Sequence, residues 1–175
     1  MLTETLPKKI DPRKLARKGA KLAGTIELGD LKRLQDYVAE SQGAITALLE
    51  FFRDEQGFFV IDAKMSAPVA MICQRCLEAV NLNVEGECQL AVVWTEDDAK
   101  SLPKHYEPVV VGEEELETAS LIEEELILAL PLVPYHREDE CKSSKGYSTG
   151  EFAEEAEDNG KPNPFSVLAN LKSDN

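Results

Sequence analysis

Between residues 80 and 94 every even-numbered position is apolar or small: Val80, Leu82, Val84, Gly86, Cys88, Leu90, Val92 and Trp94. A period of two sustained over that length predicts one long strand, or two joined at a bend, with a single apolar face and Gly86 as a bulge. Phe59, Ile61, Ala63 and Met65 alternate in the same way just upstream. Residues 44–94 therefore read as strands, and residues 106–111 fit another. Helical spacing appears on either side of this block. Asp11 and Pro12 suit an N-cap and a first helical position, and Lys14, Arg17, Lys18 and Lys21 then share one face. Gly19 falls inside that run, at a cost of roughly 1 kcal/mol relative to Ala.

A second helix fits residues 30–40, with Leu31, Leu34, Tyr37 and Val38 on one side. A third fits LETASLIEEELILALPLVP at 116–134. There Ser120 and Glu123 match a capping box, Ile122, Leu126, Ala129 and Leu130 form a stripe, and Pro131 closes the helix. Glu123, Glu124 and Glu125 read as a solvated face. Residues 137–161 are polar and acidic and predict a disordered linker. Asn163 and Pro164 then start a short terminal helix within 162–175. Such a helix needs something to dock on, because it is too short to be stable alone in water. The pattern gives an α+β fold: an antiparallel β meander with helices packed on or beside it, in a single domain at 1–136 with a basic N-terminal segment.

Charge alters this picture through its distribution. The chain carries −14 net, but residues 1–33 carry +5 and the remainder −19. A basic head on an acidic body points to a polyanion on one side and a basic partner on the other. No run approaches the roughly 18 apolar residues that cross a membrane. The opening MLTETLPKKIDPRK lacks the apolar core of a signal peptide, so a cytoplasmic location is expected. In that reducing setting Cys73, Cys76, Cys88 and Cys141 are thiols or metal ligands.

The pair in CQRC, Cys73 and Cys76, reads in three ways. A redox pair needs a helix after the first thiol, and LEAVNLNVEG alternates as a strand instead. Two thiols on a hairpin connection are half of a tetrahedral zinc site, with His136, Cys141, Cys88 and His105 available to complete it. The simplest reading is a hairpin knuckle with structural thiols. Cys88 fits a buried strand face, and His105 fits an exposed loop. The chain contains no glycine-rich phosphate loop, HExxH, G-x-S-x-G or kinase signature, so neither an enzyme nor a small-molecule substrate is expected.

CQRC at 73–76, YEPV at 106–109, EEELILALPLVPYH at 123–136 and KPNPFSVLANLK at 161–172, with DP at 11–12, resemble the YceD family in its gammaproteobacterial form. This is the family of large ribosomal RNA subunit accumulation proteins. The resemblance implies a non-enzymatic bacterial cytoplasmic factor needed for 23S ribosomal RNA to accumulate. Many relatives carry a second CxxC after the LPL segment. This chain has His136 and Cys141 there, followed by Lys142-Ser143-Ser144-Lys145. The resemblance therefore implies either a reduced zinc set of Cys73, Cys76, His136 and Cys141 or a lost site. The expected partner is large-subunit rRNA or a pre-ribosomal particle. Contact would run through Lys14, Arg17, Lys18 and Lys21, with Arg75 on the knuckle, or through a protein partner. A protein-binding adaptor and a CxxC thiol oxidoreductase are the competing readings.

Overall fold

The computed structural model describes residues 4–40 and 42–142; the linker from 143 and the terminal helix expected from sequence lie outside the described residues. The first compact unit of the chain ends at Cys141. Residues 137–141, expected in the linker, thus belong to it, and the Cys141 side chain is buried.

The element order is β1 (Lys9–Ile10), α1 (Pro12–Lys18), β2 (Lys21–Glu27), β3 (Ala44–Arg53), β4 (Phe59–Ile72), β5 (Ala79–Val93), α2 (Glu96–Ala99), β6 (Glu107–Val110), β7 (Leu116–Glu117) and α3 (Thr118–Ala129). The main sheet runs β2-β3-β4-β5-β6. Its first four strands are the expected antiparallel meander. β6 departs from it: it joins β5 in parallel, after a crossover through α2 that alternation alone could not reveal. β1 and β7 form a separate small sheet that ties the two ends of the unit together.

α1 begins as the sequence predicts, with Asp11 Oδ1 accepting the Lys14 N–H at 2.9 Å. It ends sooner. Gly19 adopts φ 60° and closes the helix in a left-handed cap, its N–H returning to the Ala16 carbonyl. Gly19 is a stop and not a weak point within the helix. Lys21 consequently stands on β2, where it pairs with Glu50 at 2.8 Å.

The helix expected over residues 30–40 is replaced by two 3-10 turns, Leu28–Asp30 and Leu34–Asp36. Leu28, Leu31 and Leu34 recur every third residue, which matches three residues per turn. All three are fully buried, each worth about 1.5–3 kcal/mol. The second turn is fixed from outside, because Glu123 Oε1 accepts the N–H groups of Arg33 (2.7 Å) and Leu34 (3.2 Å). Glu123 is therefore buried and makes no capping box with Ser120. Glu124 meets Arg33, and Glu125 is half-buried beside Cys88. The acidic run is a solvated face only in part.

The β4–β5 hairpin is the spine of the fold. Its register runs unbroken from Ile72↔Ala79 to Val60↔Ala91, so Gly86 is not a bulge. A Cβ there would stand 3.1 Å from Met65 Cγ and 3.7 Å from Ala129 Cβ. Gly86 instead makes room where α3 crosses the sheet. Ile45, Leu49, Phe51, Ile61, Ala63, Leu90, Ile122 and Leu126 form the centre of the core. Among the described residues no helix is long and apolar enough to cross a membrane.

One buried residue was invisible in the pattern. Arg13 donates to the carbonyls of Gly112 (3.1 Å), Val93 (3.2 Å) and Val111. Its guanidinium lies 3.4 Å from the centre of the Trp94 ring. Trp94, expected on the apolar face, is 56% exposed and acts as the lid of this cation.

Candidate metal centre

The turn between β4 and β5 is the CQRC knuckle. Cys73 N–H donates to the Glu78 carbonyl and Leu77 N–H donates to the Cys73 carbonyl, both at 2.9 Å. The turn requires Leu77 to take φ 61°, a left-handed conformation uncommon for a residue with a side chain. Beyond α3, Pro131 stops the helix and the chain returns alongside the knuckle, where Gln74 N–H reaches the Pro134 carbonyl at 2.9 Å. That contact delivers His136 to the two thiols. A turn at residues 137–141, closed by Cys141 N–H on the Arg137 carbonyl, folds Cys141 back beside them.

The result is a cluster in which the ligand atoms of Cys73, Cys76, His136 and Cys141 all lie within 4.8 Å of one another. Zinc legs of about 2.3 Å in a tetrahedron place sulfurs about 3.8 Å apart, so the set is close to the size the ion needs. The chemistry of the donors also fits. His136 Nε2 lies 3.0 Å from the Ala79 carbonyl, so that nitrogen carries the hydrogen. Nδ1 is left with its lone pair and stands 3.3 Å from Cys76 Sγ. A metal-binding imidazole is oriented in this way. Cys73 Sγ in turn accepts the His136 backbone N–H at 3.4 Å.

Burial works against a Cys73 thiolate, yet the N–H groups of Cys76, His136 and Arg75 outweigh it and bring its pKa down to about 5. For Cys76 the Glu78 N–H favours the thiolate, but burial and the neighbouring Cys73 and Cys141 sulfurs leave its pKa raised. His136 is pushed above its usual value, first by Cys73, with burial opposing. Three thiols and an imidazole converging on one centre form a donor set that could hold a divalent metal.

The other sequence candidates fall elsewhere. Cys88 lies partly buried on β5, where burial first and then Glu125 push its thiol pKa up, which suits an inert side chain. His105 is exposed and rests against Tyr106, with ring centres 4.1 Å apart. Arg75 sits at the knuckle, 5.3 Å above the Tyr135 ring. Lys14, Arg17 and Lys18 are exposed on α1, with Lys14 paired to Asp11 at 3.1 Å and Arg17 5.5 Å from the Phe59 ring. The sequence named the four clustered residues; it gave no sign of the Ala79 carbonyl or of the Gln74–Pro134 contact that align them.

Residues 61–172 match the family model described as Large ribosomal RNA subunit accumulation protein YceD. A relative from Haemophilus influenzae with that same description is 37% identical over 169 residues, covering 95% of this chain and 96% of its own. No solved structure matches.

Proposed function

The chain belongs to the YceD family of large ribosomal RNA subunit accumulation proteins, and from that premise we propose that it is a non-enzymatic cytoplasmic factor for the accumulation of 23S ribosomal RNA. It acts by binding rRNA or a pre-ribosomal particle. The observation that carries this reading is the family relationship, which extends over almost the whole chain. The zinc set of Cys73, Cys76, His136 and Cys141 holds the knuckle in shape and takes no part in a reaction. A thiol oxidoreductase fits poorly, because Cys73, the thiol with the lowered pKa, is 0% exposed, and the partly exposed Cys76 has its pKa raised.

RNA contact runs through the exposed Lys14, Arg17 and Lys18 of α1, and through Arg75, whose stack on Tyr135 presents a cation and an aromatic ring together at the knuckle. Lys21, on β2 and paired with Glu50, contributes only to the local field. Phosphate contacts position the protein without reading sequence. Three of them give a log–log salt slope of roughly −2 to −3. Reversing Lys14, Arg17 and Lys18 to Glu should leave the melting temperature nearly unchanged, since exposed charges contribute little to stability. It should abolish co-sedimentation with large-subunit precursors in a low-salt gradient. If the triple variant still co-sediments and still restores rRNA levels in a deletion strain, a protein-binding adaptor takes its place. The −19 carried by residues 34–175 favours that second reading.

A further inference from the structure

β5 is longer than the strand on its outer side. β6 pairs only with Leu90, Ala91, Val92 and Val93, whereas β4 accompanies β5 along its length. In antiparallel pairing, alternate residues send both N–H and C=O to the same side. Cys73 N–H meets the Glu78 carbonyl across the hairpin, so even-numbered residues of β5 face β4. Odd-numbered residues face away. The Ala79 carbonyl at His136 and the Val93 carbonyl at the Val111 N–H follow this phase. Asn81, Asn83, Glu85 and Glu87 therefore point their backbone groups outward. None of those groups meets a hydrogen-bond partner among the described residues.

Open edges are pairing templates, and proteins commonly block them with Lys, Pro or a bulge. From Val80 to Cys88 this edge has no Lys, Pro or bulge, and its charges are the carboxylates of Glu85 and Glu87, which repel acidic strands and admit basic ones.

The flanking side chains define what fits. On the solvent face Glu85 and Glu87 are exposed, and the nearby cation, Lys64, is already paired with Glu87 at 2.6 Å. An added strand would place its own side chains about 5 Å from those carboxylates. On the other face Leu82, Gly86 and Cys88 are half-buried, and α3 crosses at Gly86 and Cys88. Glu125 lies beside Cys88, and Leu128, three residues further along the same flank of α3, is 69% exposed. An incoming strand thus meets carboxylates above and apolar surface below. A second copy of this chain is a poor fit, because an antiparallel β5–β5 pair sets Glu85 and Glu87 beside their own copies.

We propose that the free edge of β5 is an interaction surface that takes, by strand addition, an extended basic segment of another protein in which Lys or Arg alternates with apolar residues. Backbone pairing supplies the attachment, and the alternation supplies the selection. The net charge of −14 draws such a segment in. This surface is separate from α1 and does not depend on the RNA reading.

The test uses the full chain and a short capped peptide of alternating lysine and valine, followed by amide hydrogen exchange. In the free chain the N–H groups of Asn81, Asn83, Glu85 and Glu87 should exchange fast, and the peptide should slow them. A peptide of the same sequence, N-methylated on its edge-facing residues, should not bind. Glu85→Lys with Glu87→Lys should weaken the lysine–valine peptide by about tenfold and favour a glutamate–valine peptide instead. Slow exchange at these four amides in the free chain would overturn the proposal, because the edge is then already covered by the chain itself or by a second copy. So would lysine–valine binding that survives N-methylation, which is charge attraction without strand pairing.

Discussion

At the Val93 end of β5, buried Arg13 finds carbonyls from Val93, Val111 and Gly112 and the face of Trp94. At the Ala79 end, the ligand atoms of Cys73, Cys76, His136 and Cys141 face one another around a common centre. Both are polar constructions at the ends of one hairpin. The first is largely satisfied within the protein, because a cation has been given carbonyl oxygens and a ring face, with Arg13 Nε left as the one buried donor of that side chain without a partner among the described residues. The second is a set of donors that could hold a metal ion, because electron donors face mainly other electron donors. The difference offers a way to tell a structural polar cluster from a candidate ligand site: ask whether the converging groups are of opposite or of like polarity. Buried polar groups left open are costly, so a converging set of like donors is a candidate ligand site.

Removing the metal should produce the largest effect. Protein purified without chelator should carry about one zinc per chain, and chelation or Cys73→Ser should cost on the order of 5 kcal/mol. Amide exchange should rise first at 73–79 and 134–141, while β3 and the centre of β4 remain protected. Well under one zinc per chain, with an unchanged melt after chelation, would leave the knuckle a turn with plain thiols and dissolve the contrast.

Arg13→Ala comes next. It strips three carbonyls of a charged donor and uncovers Trp94, and should cost about 2–4 kcal/mol in denaturant melts without changing zinc content. Arg13→Lys should recover only a part, because a point ammonium cannot span the three carbonyls as the planar fork does. A full recovery would mean that charge alone holds this end.

The smallest effect has the opposite sign. Leu77 holds a left-handed conformation at the knuckle, and strain there is on the order of 1 kcal/mol. Leu77→Gly relieves it but adds freedom to the unfolded chain, leaving a net gain of about half a kcal/mol. The gain should be seen with metal present and shrink after chelation, if the turn is held in that geometry by the metal.

What could be read from sequence follows the range of each interaction. Asp11 and Pro12 start α1 through atoms three residues apart. The even-numbered face of 80–94 is a local period, and it became one strand. The CxxC spacing is also local, and it marked the knuckle. Apart from Gly19, whose left-handed cap ends α1 through a local bond to Ala16, the misreadings depend on distant partners. Residues 30–40 have helical spacing, but Glu123 holds them in a 3-10 turn. Gly86 looks like a bulge until α3 crosses over it. Arg13 sits among exposed basic residues and gives no sign that its partners lie 80 and more positions away. His136 and Cys141 could be named as ligand candidates, yet only the Gln74–Pro134 contact explains how they arrive.

The pairing of β1 with β7 has a consequence for the time course of folding. Lys9 meets Glu117 and Ile10 meets Leu116, whereas the meander from β2 to β5 joins neighbours along the chain. Loop closure makes long-range contacts slow relative to hairpins. The meander should therefore form while β1 is still loose, and β1 should lock only after residue 117 has been synthesised. α1 is held sooner, because it packs on β3 and β4 and Ala20, just beyond it, accepts the Phe51 N–H at 2.8 Å. On a ribosome the basic helix is thus seated against the sheet while the short strand before it still waits for its partner.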